Sequence, residues 1–372
     1  MSLPKISVIL PVRNEARSIG RLLDQLQEQT YPAGGFEILV ADGGSADATR
    51  EVVWKKASQS KVSIRVIDNP GIRSGAGRNA GIAEATGEII LFIDGHCDIP
   101  SRYLLEDTVL LMNETGADCL CRPQPLIAFS PRGTARIIAD ARASTLGHGR
   151  DSLIYDMTHS GFVHPASSGA TYRREIFEKL GGYDTGFDAC EDVEFNTRVH
   201  AAGYKAYTDP RVAVYYEPRQ NFAGLFRQMM RYGIGRVRLA RKHPQSASLS
   251  QWAPAVLVAA LAVGVVSLLA AAISGRYILA LLAVPAVMFL LITIAASLDM
   301  GRRHGWKHAL LGPVAYFAIY TGLGTGMFTE LVRSSRNQAI APAGDALFIE
   351  KRSPAFDASQ EDVADRSLEL KK

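Results

Sequence analysis

The chain has 372 residues, of which 47% are apolar and 21% charged, and its formal net charge is +4. This composition excludes disordered and fibrous proteins, and so small a positive excess argues against nucleic acid as a partner. The charges are unevenly distributed, because residues 254–329 contain only five of them. The sequence therefore predicts a globular domain of about 250 residues followed by a membrane region.

Short apolar segments alternate with segments of helical periodicity in the first part of the chain. Because repeated strand–helix–strand units form parallel sheets, we predict a mostly parallel sheet with helices on both faces. Ligands of such sheets bind beyond the carboxyl ends of the strands. The predicted strands cover residues 6–10, 36–41, 62–67 and 88–93.

Asp94 directly follows the fourth predicted strand, and one glycine separates it from His96. In an extended chain, residues two apart point the same way, so the carboxylate and the imidazole can converge on one divalent cation. Oxygens of a diphosphate would complete its coordination. A nucleoside-diphosphate leaving group needs such a cation, because its departure builds negative charge. The alternative role of a strand-end Asp is a turn residue or helix cap.

The other strand ends carry further polar residues, Arg13 with Glu15 after the first strand and Asp42 after the second. A carboxylate at the position of Asp42 can accept hydrogen bonds from a base or ribose. Arg78 begins a helix after a glycine-rich loop, which presents a guanidinium and backbone amides to phosphate. The glycine fingerprint of dinucleotide-binding folds and the Walker lysine motif are missing from the sequence.

An ordered series of motifs resembles family 2 glycosyltransferases of the GT-A fold over residues 4–240. Within that family the sequence is similar to succinoglycan-biosynthesis glucosyltransferases, in which such a domain precedes a few membrane helices. The motifs are ISVILPVRNE (6–15), DGGSADAT (42–49), RNAG (78–81), DGH (94–96), GGYD (181–184) and EDVEF (191–195).

The resemblance implies a set of donor-binding residues and a metal motif. Asp94 and His96 match the metal motif usually written DXD, with His96 in place of the commoner Asp. Imidazole suits transition ions better than magnesium, which favours Mn²⁺ over Mg²⁺. The implied donor site consists of Pro11, Arg13, Glu15, Asp42, Arg78 and Asp94.

Asp192 matches the catalytic base of the family. One base suffices for an inverting transfer, because it takes the proton from the acceptor hydroxyl as that oxygen attacks the anomeric carbon opposite the departing diphosphate. Glu191 is expected to position the acceptor or to raise the pKa of Asp192 through like-charge repulsion. Outside the family pattern, Asp192 would be a surface carboxylate at a helix start. We also expect Ser168 and Gly169 on the acceptor or diphosphate side.

Residues 219–242 contain seven basic side chains and no acidic one. QMMRY (228–232) resembles the QxxRW motif of polysaccharide synthases, which implies that Gln228 and Arg231 lie near the acceptor and diphosphate and that Tyr232 stacks on a sugar. Tyr232 replaces Trp, which weakens any inference of processive polymerisation. An amphipathic helix on anionic lipid explains the same pattern, and we expect most of the arginines to face headgroups.

Three uncharged runs, at residues 254–274, 277–298 and 308–329, each reach the roughly 20 residues that a membrane-spanning helix needs. The third is rich in glycine, and a re-entrant segment is its alternative. Lys and Arg residues flank the first run and separate the second from the third, which predicts a cytoplasmic N-terminal domain at the inner membrane. No N-terminal signal peptide is expected.

The predicted organisation is a GT-A domain (1–218), a basic amphipathic interfacial segment (219–250), a membrane region of two to three helices (251–330) and a polar tail (331–372). We predict transfer of a hexose, glucose from UDP-glucose, to a polyprenyl-linked oligosaccharide of a bacterial exopolysaccharide. Membrane lipids and other polysaccharide-assembly enzymes are the expected partners. The alternatives are direct transfer to polyprenyl phosphate, a nucleotidyltransferase, and a non-catalytic nucleotide-sugar sensor.

Overall fold

Strands and helices alternate through the globular part of the chain, as the apolar periodicity predicts. The computed structural model describes residues 3–127, 133–148 and 153–334, so the predicted polar tail lies outside the described residues from position 335 onward. The strands are β1 (Ile6–Val12), β2 (Phe36–Asp42), β3 (Ser63–Asp68), β4 (Ile89–Phe92), β5 (Cys97–Asp98), β6 (Cys119–Cys121), β7 (Gly161–Val163), β8 (Gly169–Arg173), β9 (Ala206–Thr208) and β10 (Tyr215–Tyr216).

The helices fall into two groups, those that cover the sheet and the long ones that follow it. The first group is α1 (Ile19–Gln27), α2 (Thr49–Gln59), α3 (Ser74–Glu84), α4 (Leu104–Thr115), α5 (Thr134–Ala143), α6 (Thr145–His148), α7 (Arg174–Leu180) and α8 (Glu191–Ala201). The second group is α9 (Phe222–Lys242), α10 (Ala253–Ser274), α11 (Val284–His304) and α12 (Trp306–Ser334).

Eight strands form one sheet in the order β3-β2-β1-β4-β8-β6-β9-β7. The four predicted strands are β1 to β4, and they pair in parallel. The other half of the sheet is mixed, because β8 runs antiparallel to both β4 and β6. Since parallel strands end at the same edge, the loops after β1, β2 and β4 meet there.

The sheet is covered on both faces, which explains why its first two strands are mostly apolar. Every residue of β1 and β2 is buried, as expected for strands between two helical layers. Leu10 belongs to the same core cluster as Leu22 of α1, and Ile9 belongs to a second cluster with Ile82 of α3. A Cβ atom at Gly81 would overlap the side chain of Ile9, so this glycine lets α3 lie close against β1.

Two helices of the described residues are long and apolar enough to cross a membrane, Leu249–Ser274 and Tyr277–His304. Their side chains project away from the protein, and Ile273 at 87% and Ile278 at 70% exposure are examples. A continuous exposed apolar surface of this kind marks contact with a partner or a membrane. These helices correspond to the first two uncharged runs of the sequence.

The third uncharged run forms α12, which packs along α9 instead of standing apart. Near its start His308 lies 3.1 Å from the Asp140 carboxylate of α5. Near its end the Glu330 carboxylate lies 3.0 Å from Arg238 of α9. Both ends of α12 therefore contact helices outside the two candidate spans. Two candidate spans among the described residues fall within the predicted two to three, and the unbroken helix α12 does not form a re-entrant loop.

Glycines allow α9 and α12 to pack closely. Replacing one of these glycines by alanine should therefore destabilise the protein, although alanine is the better helix former. A Cβ atom at Gly326 would overlap the carbonyl oxygen of Met230 in α9. Helix propensity alone favours Gly→Ala by about 1 kcal/mol, whereas overpacking costs about 1–3 kcal/mol. We therefore expect Gly326→Ala to lower the thermal unfolding midpoint of the detergent-solubilised protein. Gly34→Ala is the control, because a Cβ at Gly34 has nothing within 4 Å. An increased midpoint for Gly326→Ala would contradict this prediction, because it would show that α9 and α12 can move apart to accommodate the added methyl group.

Candidate active site

A cleft of about 720 Å³ lies beyond the carboxyl ends of β1 and β4 and reaches α8 and α9. It brings together most of the site residues predicted from the sequence, although they come from widely separated parts of the chain. The predicted residues that line it are Pro11, Glu15, Arg78, Asp94, His96, Ser168, Gly169, Glu191, Asp192, Gln228, Arg231 and Tyr232.

Two of the predicted donor-binding residues do not line this cleft. Arg13 is exposed on the loop that follows β1. Asp42 is only 2% exposed, and its carboxylate accepts a hydrogen bond from the Ser45 hydroxyl at 2.5 Å. Asp42 therefore shapes its own loop, and a direct contact from Asp42 to a nucleoside stays a prediction.

His96 is held in one orientation by the loop after β1. Its Nδ1 lies 3.0 Å from the Glu15 carboxylate, which also accepts from the Ser18 hydroxyl at 2.8 Å. The His96 ring packs edge-on against Tyr216, with ring centroids 4.7 Å apart. A Cβ at Gly95 would approach the Val12 side chain to 2.8 Å, so glycine is needed between Asp94 and His96.

The His96 imidazole suits a cation that shares its ligands with a substrate. Its Nε2 atom is buried and has no hydrogen-bond partner among the described residues. A carboxylate on Nδ1 fixes the tautomer whose Nε2 is free to bind a metal, which is the usual outer-shell arrangement of metal-binding histidines. The described residues contain no cluster of three or more His, Cys, Asp or Glu side chains that would hold a metal alone. Asp94 and His96 would therefore need oxygens from a ligand to complete the coordination.

Arg78 connects the two acidic parts of the cleft. One guanidinium nitrogen lies 2.9 Å from Glu191 and the other 3.4 Å from Asp94. The group also lies over the rings of Tyr183 and Phe92, at 5.3 and 5.8 Å from their centroids. Burial opposes the charge of Arg78, but the two carboxylates outweigh it and raise its pKa. The sequence predicts a phosphate contact for Arg78, and the structure adds a bridging role that the sequence did not indicate.

Glu191 and Asp192 form the first turn of α8, where negative charge is favourable because the backbone N–H groups point toward it. Glu191 is 7% exposed, and burial raises its pKa, with the neighbouring Asp192 charge adding to the effect and Arg78 opposing it. Asp192 is half-buried and lines the cleft. The pair thus presents one buried, ion-paired carboxylate and one accessible carboxylate to the same space.

Arg231 and Tyr232 of α9 border the loop that precedes this pair. Arg231 donates hydrogen bonds to the Asp188 carboxylate at 2.8 Å and to the Asp188 carbonyl at 2.7 Å. Arg231 therefore holds this loop in place, in addition to lining the cleft. The Tyr232 hydroxyl lies 3.4 Å from the Gln228 amide. The predicted contacts of these residues with diphosphate and sugar remain predictions.

The predicted lipid-facing role of most basic residues in 219–242 is not what the structure shows. Four of the seven side chains pair with acids of the protein, and two others line the cleft. The paired residues are Arg231, Arg238, Arg241 and Lys242, and the cleft residues are Arg219 and Arg236. The apolar face of α9 packs against α12 and α5, so its amphipathic pattern reflects protein packing.

Several cleft residues were missed by sequence reasoning. Arg122 directly follows β6, so its position at a strand end could have indicated it. Arg142 lies inside α5 and reaches the cleft only through tertiary packing, which no local pattern indicates. His164 also lines the cleft, and no motif of the sequence marks it.

The partly parallel α/β sheet, the strand-end motif of Asp94 and His96 and the carboxylate pair across the cleft agree with the resemblance to glycosyltransferases of the GT-A fold. Residues 7–181 match the family described as glycosyl transferase family 2. Together with the relative described next, this match shows that the chain belongs to glycosyltransferase family 2.

The chain is 33% identical over 265 residues to the succinoglycan biosynthesis protein ExoA of Rhizobium meliloti (strain 1021), covering 69% of this chain and 76% of that protein. It is 26% identical over 246 residues to the dolichyl N-acetyl-alpha-D-glucosaminyl phosphate 3-beta-D-2,3-diacetamido-2,3-dideoxy-beta-D-glucuronosyltransferase of Methanococcus voltae, covering 64% and 74% of the two chains. Among solved structures, the mannosyltransferase PcManGT of Pyrobaculum calidifontis, in complex with GDP-Man and Mn²⁺, aligns with a TM-score of 0.54 and 21% identity over 89% of this chain and 88% of that one. This likeness supports the GT-A fold.

Proposed function

We propose that the protein is an inverting, metal-dependent hexosyltransferase that transfers glucose from UDP-glucose to a polyprenyl-diphosphate-linked oligosaccharide during bacterial exopolysaccharide biosynthesis. The observation that carries the proposal is the Arg78 bridge between Asp94 and Glu191, because it joins the metal motif to the carboxylate pair within one cleft. A leaving group and an attacking hydroxyl need this proximity to react in line.

Each residue of the site has a role in the proposed reaction. Asp94 and His96 would hold a divalent cation, Mn²⁺ or Mg²⁺, whose charge offsets that of the departing diphosphate. Asp192 accepts the proton of the acceptor hydroxyl as the new glycosidic bond forms and the bond to UDP breaks. Arg78 opposes the burial-driven rise in the pKa of Glu191 and holds that carboxylate by an ion pair next to Asp192. An α-linked donor then yields a β-linked product.

The membrane location and the lipid-linked acceptor are supported by the long helices and the relatives. Helices α10 and α11 expose apolar side chains over lengths that suit a bilayer. The Methanococcus voltae relative is named for a dolichyl-linked sugar phosphate, and the Rhizobium meliloti relative for succinoglycan biosynthesis. We place the catalytic domain on the cytoplasmic side of the inner membrane, because Lys and Arg flank that side of the spans.

Product analysis of the purified protein in detergent tests this function. The protein is incubated with radiolabelled nucleotide sugars, Mn²⁺ and either polyprenyl phosphate or a polyprenyl-diphosphate-linked oligosaccharide. We expect release of UDP and label in the lipid-linked oligosaccharide. Label on polyprenyl phosphate alone would favour the direct lipid transferase, and release of inorganic diphosphate would favour the nucleotidyltransferase. Binding of UDP-glucose without any turnover would favour the non-catalytic sensor.

His96 is expected to set the metal preference. In His96→Asp a hard carboxylate replaces imidazole, so the ratio of Mn²⁺ to Mg²⁺ affinity in the presence of UDP should fall by about tenfold or more. Electron paramagnetic resonance of free Mn²⁺, with Mg²⁺ as competitor, measures this ratio without requiring catalysis. His200→Asp is the control, because His200 is exposed and lies outside the cleft. An unchanged ratio would remove His96 from the metal site.

A further inference from the structure

The cleft contains a second group of basic side chains, at its end near α12. Arg142 of α5 is only 7% exposed, and its guanidinium lies 3.4 Å from the Gln228 amide oxygen. No carboxylate of the described residues lies within ion-pair distance of Arg142, in contrast to Arg78. Burying an unpaired guanidinium is unfavourable. An anionic ligand would offset that cost.

Arg236 contributes a second cation to this end of the cleft. Gln228, Tyr232 and Arg236 are spaced four residues apart on α9, so they form one row along the helix, and all three line the cleft. The basic residues that flank Arg236 on α9 pair with acids, whereas Arg236 has no acidic partner among the described residues. Arg142, Arg236 and His148 all line this cleft, and burial and then the charges of the two arginines lower the pKa of His148 to about 4.

Helix α12 holds this part of the cleft next to the membrane region. The Ser144 hydroxyl lies 2.9 Å from the Tyr316 hydroxyl, and the Tyr320 hydroxyl donates to the Leu146 carbonyl at 2.8 Å. These bonds hold the end of α5, which carries Arg142, and the short helix α6, which ends at His148. Arg142 and Arg236 therefore lie on the side of the cleft from which a lipid-linked molecule would enter.

The proposed donor site consists of a different set of residues. Arg78 lies 3.4 Å from Asp94 in that part of the cleft, and His96 follows Asp94 by two residues. We propose that Arg142 and Arg236, with Gln228, form a second anion site that binds the phosphate or diphosphate of the lipid-linked acceptor. This inference rests on the proposed function for its choice of the acceptor as the source of the anion.

Binding of farnesyl diphosphate to the full chain in detergent tests the site without any catalysis. We expect Arg142→Gln and Arg236→Gln each to weaken farnesyl diphosphate binding by about tenfold and to leave UDP binding within twofold. Farnesol, which has no phosphate, should bind equally to all variants. Arg227→Gln is the matched control, because Arg227 is an exposed residue of α9 outside the cleft. Arg142→Lys, which keeps the charge, should recover part of the affinity if the variant folds with an unchanged unfolding midpoint.

The outcomes separate this inference from the proposed function. Unchanged farnesyl diphosphate affinity in both variants would overturn the anion site, even if sugar transfer proceeds. Weaker UDP binding in place of weaker farnesyl diphosphate binding would also overturn it, because the two arginines would then serve the donor. Loss of farnesyl diphosphate affinity in a protein that transfers no sugar would support the anion site while contradicting the proposed function.

Discussion

Asp192→Asn should lower sugar transfer by about 10²- to 10⁴-fold, the usual contribution of a positioned general base. The amide has the shape of the carboxylate but cannot accept the proton of the acceptor hydroxyl. Asp192 makes no ion pair among the described residues, and its carboxylate accepts a local hydrogen bond from the Val193 N–H at 2.9 Å. The substitution should therefore leave both the unfolding midpoint and UDP affinity close to the wild-type values.

Single-turnover transfer and UDP binding, measured on the same preparation, separate these two effects. Asp24→Asn provides the same chemical change on α1, where the Asp24 side chain is 48% exposed and pairs with Lys56. We expect normal transfer from that control. If Asp192→Asn transferred sugar at a near-normal rate, another group would have to be the base, which would contradict the proposed mechanism.

The strands that carry the donor side could be predicted from the sequence because they are buried on both faces. Apolar runs with no polar alternation identified β1, β2 and β4, and the rule that ligands bind at their carboxyl ends placed Glu15, Asp94 and His96 together. The link from Asp94 through Arg78 to Glu191 of α8 could not be derived in this way. It depends on Arg78, whose partner Glu191 lies 113 positions away in the chain.

The membrane region shows a different limit of sequence reasoning. An uncharged run of about 20 residues is consistent with lipid contact or with burial against protein, since both environments exclude charge. The runs in α10 and α11 expose their side chains, whereas α12 buries Tyr316 and Ile319 against its neighbours. The position of Arg142 could likewise not be predicted from the sequence, because only the packing of α5 beside α9 brings its side chain to the cleft.

The second large effect is expected at Arg78, whose loss should affect both folding and catalysis. Arg78→Met keeps much of the side-chain volume but leaves the buried Glu191 carboxylate without its cation, close to Asp94 and Asp192. Removing one partner of a buried ion pair costs about 3–5 kcal/mol. We expect a clearly lower unfolding midpoint, together with loss of UDP affinity and of sugar transfer.

The double variant Arg78→Met/Glu191→Gln distinguishes the structural part of this effect from the catalytic part. Neutralising Glu191 removes the uncompensated charge, so most of the lost stability should return, and a double-mutant cycle would show a coupling energy of roughly 0.5–3 kcal/mol. Transfer should stay low, because the guanidinium beside Asp94 and Asp192 is still missing. Full recovery of transfer in the double variant would show that Arg78 acts only by neutralising Glu191. Equal unfolding midpoints for the wild type and Arg78→Met would show instead that the bridge contributes nothing to the folded state.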